Sequence, residues 1–380
     1  MIDLNFKQRF TDFDLDIQAQ IPSSGITAIF GRSGAGKTSI INAVSGLKNP
    51  DSGSININQR VLFDSQQGIN LAVEKRDIGY VFQESRLFPH YKVKGNLLYG
   101  VKNKGYFSKD QLIGKKKLPG NFNQVVELLG LSELLDRYPA DLSGGEKQRC
   151  AIARALLSEP KVLLMDEPLA SLDLPRKKEV MPFLESLAQE IQIPILYVTH
   201  SLDEILHLAD HMLLMDSGRV VASGDIETMW ASSAFKPWHD EADLSTIFKG
   251  VIKQHHQRYA LSYVEIAPSC GVWMSAIDAN LDESVRIRIH ASDVSLTLSE
   301  STDTSIRNIL PAKVVELAPV TDPAQPVSIC LAIGEGEVEH YLWANITAWA
   351  YEDLQLEIGQ KVFAQIKGVK MTNKDMAIRK

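Results

Sequence analysis

Little cysteine, no excess of positive charge and no long apolar run set the first limits on this 380-residue chain. The three cysteines, Cys150, Cys270 and Cys330, show neither CxxC spacing nor a neighbouring histidine cluster. Neither a disulfide framework nor a zinc site is expected, and buried reduced thiols are the favoured reading. A formal net charge of −7 and a pI near 5.8 lack the basic footprint of a nucleic-acid binder, so nucleic acid is not an expected partner. No stretch approaches the roughly 20 apolar residues that span a bilayer. The start, Met1-Ile2-Asp3-Leu4-Asn5-Phe6, has neither the basic head nor the apolar core of an export signal. Any role at a membrane is therefore expected to run through a partner. What is present is globular composition, 44% hydrophobic and 23% charged. The length exceeds the ~100–200 residues usual for one domain, which predicts a large core with a smaller appended domain.

Short apolar runs at residues 26–30, 78–82, 162–165, 195–199 and 212–215 alternate with longer helical patterns, as in a largely parallel sheet with crossover helices. Several of the runs are almost wholly apolar, which fits strands covered on both faces. Residues 102–121, with Lys115, Lys116 and Lys117 among glycines, read as a solvated insert. Beyond Ala231 the period changes to two: Val285, Ile287 and Ile289 alternate with Arg286, Arg288 and His290. Gly334-Glu335-Gly336 separates two further apolar runs as a hairpin turn would. The expected division is 1–235 for an α/β domain, 236–302 for a β-rich connecting segment and 303–380 for a small β-barrel domain.

Gly31-Arg32-Ser33-Gly34-Ala35-Gly36-Lys37-Thr38 has the GxxxxGK[ST] form and lies between a predicted strand and a predicted helix at 39–47. Glycines let the backbone turn its N–H groups inward, the helix start adds partial positive charge, Lys37 neutralises phosphate oxygens and Thr38 supplies a hydroxyl for Mg²⁺. ATP with Mg²⁺ is the expected ligand. At the end of the run 162–165, Asp166 and Glu167 place two adjacent carboxylates where desolvation is costly unless a metal and a water nucleophile compensate. A second phosphate-type stretch, Leu142-Ser143-Gly144-Gly145-Glu146-Lys147-Gln148-Arg149, opens a helix at 146–157 with Ser143 as N-cap, but it has no phosphate-binding lysine. The amides of Gly144 and Gly145 are expected to stand open to a phosphate brought by another chain.

In this order the motifs resemble those of the ATP-binding subunits of ABC transporters, over about the first 230 residues. The resemblance implies an α/β P-loop ATPase domain with a helical subdomain, working as a head-to-tail dimer in which Lys37 of one copy faces Ser143 of the other. It assigns Asp166 to the metal and Glu167 to activating the water, and makes Gln83 the glutamine that contacts metal and water, Ser171-Leu172-Asp173 a dimer-interface loop and His200 a residue at the γ-phosphate. An aromatic should stack on adenine; Phe13 shares the alternating face of Leu15 and Ile17 and reads as core, which leaves Phe10. Leu87, Phe88 and Tyr91 are candidates to receive a short helix of a transmembrane partner.

The C-terminal third carries a second resemblance. Ser305-Ile306-Arg307-Asn308, Ala344-Asn345-Ile346-Thr347 and Ala364-Gln365-Ile366-Lys367 are similar to elements of the molybdate-binding (Mop or TOBE-like, OB-like) barrels attached to the ATPase subunits of molybdate importers. Ser305, Arg307, Asn308, Thr347 and Lys367 would be its oxyanion donors. The resemblance implies two transmembrane permease subunits, an extracytoplasmic molybdate-binding protein and a peripheral place on the cytoplasmic face of the cell membrane. An importer of another anion or of a sugar is the alternative, as is a barrel that only senses or stores oxyanion.

Overall fold

The computed structural model describes all residues except 12, 102–120, 191–192, 233, 236–237, 239–243, 302, 320–321, 323, 335–339, 368–375 and 380. The expected insert at 102–121 and the turn at Gly334-Glu335-Gly336 thus lie largely outside the described residues. Two compact units divide the chain, Met1–Asp225 and Ile226–Lys380.

The first unit is built on eleven strands: β1 (Ile2–Arg9), β2 (Asp14–Ile21), β3 (Ile26–Gly31), β4 (Ser52–Ile57), β5 (Arg60–Asp64), β6 (Ile69–Asn70), β7 (Ile78–Val81), β8 (Val162–Asp166), β9 (Ile195–Val198), β10 (His211–Asp216) and β11 (Arg219–Asp225). They form one sheet in the order β6-β5-β4-β1-β2-β11-β10-β3-β9-β8-β7. Its half from β10 to β7 is parallel. The half from β6 to β2 is antiparallel. Strand β3 lies between β9 and β10, so the chain leaves it at the point where strand order reverses, the place where open α/β sheets receive ligands.

The α-helices among the described residues of this unit are α1 (Lys37–Ser45), α2 (Val93–Leu98), α3 (Phe122–Leu128), α4 (Gly144–Leu156), α5 (Leu174–Glu190) and α6 (Leu202–Leu208). Alternate residues of β8 feed two different cores, as a strand buried on both faces must. Leu163 and Met165 join Val93, Leu97, Phe122, Val125, Ile152 and Leu184 of the helices. Val162 and Leu164 join Ile40 and Val44 of α1 and the inward residues of β1, β2 and β4. The far end of α1 is held by Arg76, which is 2% exposed and donates to the carbonyls of Ala43 and Val44, to Leu71 O and to Asn70 Oδ1. A buried cation there opposes the negative end of the helix dipole and satisfies carbonyls that the helix leaves unpaired.

The second unit begins with α7 (Ile226–Ala231) and continues through β12 (Ser245–His256), β13 (Leu261–Ala267), β14 (Cys270–Ser275), β15 (Ser284–His290), β16 (Val294–Thr297), β17 (Asn308–Leu317), β18 (Val327–Ile333), β19 (His340–Ile346), α8 (Ala348–Leu354), β20 (Lys361–Ile366) and β21 (Met376–Arg379). Two antiparallel five-stranded sheets, β14-β13-β12-β15-β21 and β16-β20-β17-β18-β19, share one apolar core. Strands from both sides of residue 302 interleave, since β21 pairs with β15 and β16 with β20. All three cysteines are free and buried. Among the described residues no helix is long and apolar enough to cross a membrane.

Candidate nucleotide site

The loop 31–38 leaves β3 and enters α1, with Gly36 as a left-handed N-cap (φ 97°). Gly31 admits no side chain, because a Cβ would collide with the carbonyl oxygen of Met215 on β10. Arg32, Ser33 and Gly34 form the exposed rim, and Ala35 is buried beneath it. Lys37 is 6% exposed and its Nζ donates to Gly31 O (2.8 Å) and Arg32 O (2.9 Å), folded back along its own loop. Burial lowers its pKa from the usual lysine value, against the pull of Glu167 and Asp166.

Asp166 closes β8 beside this loop. Its Oδ1 accepts from Thr38 Oγ1 (3.0 Å) and its Oδ2 from Tyr80 OH (3.3 Å). Burial raises its pKa, and the hydrogen bonds from Thr38 and Tyr80 work against that rise. Tyr80 also reaches Asn42 Oδ1 (3.3 Å), and its own pKa is driven up by burial and by Asp166. Tyr80 and Asn42 belong to no motif, and only the inward phase of β7 and the i, i+4 spacing of Asn42 from Thr38 hint at them.

Glu167 follows in a left-handed conformation (φ 45°), and its amide donates to Val198 O (3.0 Å). That bond carries the carboxylate to the end of β9, where Glu167 Oε2 meets His200 Nδ1 at 3.6 Å. Lys37, Thr38, Asp166, Glu167 and His200 are therefore brought to the same ends of β3, β8 and β9. Gln83, two residues past β7, is exposed. Its neighbour Phe82 accepts from Gln148 Nε2 of α4 (3.5 Å), so the helix that starts at Ser143 touches the segment carrying Gln83.

Ser143 is the N-cap of α4 in a full capping box: Ser143 Oγ accepts from Glu146 N (3.2 Å) while Glu146 Oε2 accepts from Ser143 N (2.6 Å). Burial pushes the Glu146 pKa up, but the Ser143 hydrogen bonds and nearby Arg137 and Arg149 outweigh it and hold the carboxyl low. The two glycines are not both open as the sequence suggests. Gly144 is half-buried and Gly145 buried, because α5 packs on them and Val180 Cγ2 would lie 3.2 Å from a Cβ on Gly145. In the segment before α5, Ser171 and Asp173 are exposed and Leu172 is buried.

Phe13 packs against the core of the first unit, as does Phe10. It is half-buried and stacks face to face on Phe10, with centroids 4.8 Å apart and planes 5° from parallel. Phe13 Cε2 lies 3.4 Å from the Cβ position of Gly36, which sets the pair against the phosphate loop.

In the second unit the five candidate oxyanion donors are not gathered into one place. Asn308 is 2% exposed, and its side chain grips the backbone of Trp273 at both ends, accepting from N (2.7 Å) and donating to O (2.8 Å). Thr347 Oγ1 accepts from Ala350 N (3.1 Å) as the N-cap of α8. Ser305, Arg307 and Lys367 are exposed. The Asn308–Ile366 rung puts Arg307 and Lys367 at one end of the sheet, whereas Thr347 follows the Val327–Ile346 rung at the other.

Fold and site together define an ATP-binding cassette: the ABC transporter family model matches residues 15–170, and the TOBE domain model matches residues 304–372. A solved nucleotide-free ATP-binding cassette from an ABC transporter superposes with a TM-score of 0.50 at 25% identity, covering 62% of this chain and 93% of that one. The molybdenum import ATP-binding protein ModC of Vibrio parahaemolyticus is 52% identical over 379 residues, 99% of each chain. Its counterparts in Vibrio cholerae and Yersinia pseudotuberculosis are each 50% identical, over 99% and 97% of this chain and 98% and 97% of their own. The chain belongs to the family of molybdenum import ATP-binding proteins.

Proposed function

We propose that this chain is the ATP-hydrolysing subunit of a molybdate importer, active as a head-to-tail pair beneath two transmembrane subunits that an extracytoplasmic molybdate-binding protein supplies. The observation that carries the hydrolytic part is the convergence of Lys37, Thr38, Asp166, Glu167 and His200 at the same ends of β3, β8 and β9, with Glu167 and His200 3.6 Å apart.

The loop amides and Lys37 bind the phosphates. For Lys37 this means exchanging the carbonyls of Gly31 and Arg32 for phosphate oxygens, which suits an ammonium already desolvated and aimed along the loop. Thr38 and Asp166, with Gln83 beside them, are hard oxygen donors that fit Mg²⁺, and their present hydrogen bond would give way to it. Bound there, Mg²⁺ supplies charge neutralisation for the phosphates. Glu167 takes a proton from the attacking water, and His200 steadies the carboxylate and the γ-phosphate. Phe10, stacked on Phe13 and with Lys48 Nζ 5.2 Å from its ring centroid, serves the adenine.

Ser143 completes the site from the second copy. The capping box uses the amides of Ser143 and Glu146 and leaves those of Gly144 and Gly145 for a γ-phosphate, which would compete with Glu146 only for the Ser143 amide. Leu87, Phe88 and Tyr91 are half-buried rather than open. Phe88 lies at a tilt against the exposed Tyr99 (centroids 4.2 Å apart), and with Tyr80, Phe82, Arg86 and Arg154 these rings line a cleft of about 310 Å³ suited to side chains of a short permease helix. In the second unit, donors at opposite ends of one sheet support an oxyanion site assembled from more than one copy.

The test is ATP hydrolysis by the purified transporter with molybdate supplied through its binding protein. Stimulation by molybdate and not by sulfate or maltose is expected. Stimulation by a sugar alone would overturn the cargo assignment.

A further inference from the structure

One buried carboxylate has no part in this scheme. Glu204, in the first turn of α6, is 4% exposed. Its Oε2 accepts from Thr199 Oγ1 (2.7 Å) and Tyr197 OH (3.0 Å), and its Oε1 from Lys177 Nζ (3.2 Å) of α5. Its own amide donates to Ser201 Oγ (3.3 Å), and Ser201 N in turn donates to Thr199 Oγ1 (3.0 Å).

Thr199 and Ser201 are the two chain neighbours of His200. The His200 ring is 61% exposed and meets Glu167 at 3.6 Å, so its placement rests on the main chain on either side of it. Both sides are tied to Glu204. Burying a carboxylate is costly and is offset only by good donors, and an apolar residue of similar volume would fill the space at lower cost. Lys177 belongs to the first turn of α5, where its amide donates to Asp173 O (2.9 Å). A second tie, His207 Nδ1 to Glu185 Oε1 (2.9 Å), fastens α6 to α5 further along.

We propose that Glu204 is the positioning residue of His200: through Thr199 and Ser201 it fixes the backbone that aims the imidazole, and through Lys177 it makes that aim follow α5. Movement of the segment 171–173 that leads into α5 is thereby passed to His200. The inference rests on the ATPase reading given above.

The test uses the full chain and the variants T199V, E204Q, K177M and H200A. T199V deletes one hydroxyl and is the variant least prone to misfold, while E204Q keeps the shape of the buried group. Expected for T199V and E204Q is single-turnover hydrolysis lowered about ten-fold with ATP affinity within about two-fold of wild type, a loss in rate and not in binding. Neither should lower the rate further in the H200A background, because both act through that ring. In parallel, the His200 imidazole proton resonances, assigned by their loss in H200A, should shift in T199V and E204Q, and in K177M if the aim follows α5. Full additivity with H200A, or His200 resonances unmoved in both T199V and E204Q, would overturn the proposal. The spectroscopic arm needs no turnover, so a wild type that fails to hydrolyse ATP would count against the ATPase reading alone.

Discussion

Thr38 and Asp166 are turned on each other, hydroxyl to carboxylate across 3.0 Å, where a nucleotide-bound cation would separate them. The other Asp166 oxygen is held by Tyr80, so the carboxylate keeps one fixed anchor when the Thr38 bond opens. Tyr80→Phe removes that anchor and keeps the ring that stacks on Phe82 (4.1 Å). The Mg²⁺ concentration for half-maximal hydrolysis should rise about ten-fold, as for other outer-sphere partners of metal ligands. Mg²⁺-dependent quenching of a fluorescent nucleotide should shift equally. An unchanged Mg²⁺ requirement would show that Tyr80 only fills space.

Asp166 is also a stability liability. Burial raises its folded pKa above the ordinary 3.8, so the stability it contributes is fully present below 3.8 and is lost as pH climbs through the raised value. Asp166→Asn, which carries no charge to desolvate, should therefore melt higher than wild type without nucleotide, by a margin that widens as pH rises from 3.8 through the raised value and is constant above it. Thermal unfolding across that rise checks it, and a margin constant throughout would refute it.

Glu167→Gln keeps the shape of the side chain and loses the base. ATP should still bind while hydrolysis falls by ~10²–10⁴-fold, the usual worth of a general base. Filter binding and phosphate release measured together separate the two effects. Near-normal release would remove Glu167 from that role.

Ser143→Arg should spare nucleotide binding by a single copy, since Ser143 spends its side chain on its own helix, yet block closure of the pair. Lys37→Ala should instead weaken binding directly. Equal loss of ATP binding in the two variants would contradict a shared site.

Asn308→Ala removes the side chain that holds the amide and carbonyl of the half-buried Trp273. It should destabilise the second unit by about 1–3 kcal/mol. Denaturant titration followed by tryptophan fluorescence measures this, and no change would mean that water replaces the side chain.

Roles that depend on short spacing are legible in the amino-acid sequence alone. The loop 31–38, the Asp166–Glu167 pair and the Ser143 cap announce themselves because phosphate, metal and helix-end chemistry each demand particular neighbours in the chain. The strands at 26–31, 162–166 and 195–198 are legible because apolar runs bounded by turns have few other uses. Tyr80 and Asn42 are only faintly marked, since their contacts join residues 86 and 38 apart, and Glu204 bonds to nearby Thr199 and Tyr197 as well as to Lys177, 27 residues away, with no motif to mark the set. The core packing of Phe13 is legible in its alternating face, whereas its stack on Phe10, with both rings half covered, is not. Asn308 has the donors an oxyanion needs, and the fold uses them on Trp273 instead.

The left-handed backbone of Glu167 has a consequence for engineering. A side chain held at φ 45° costs on the order of 1 kcal/mol that a glycine would recover. Any search for a hardier version of this protein that scores folding alone will light on that position, along with others of the same twist such as Arg86, Ser217 and Gln355. On the role proposed for Glu167, the gain in stability would come with the loss of hydrolysis, because glycine has no carboxylate. Thermostabilising libraries should hold residue 167 fixed and seek their increments in the sheets of the second unit.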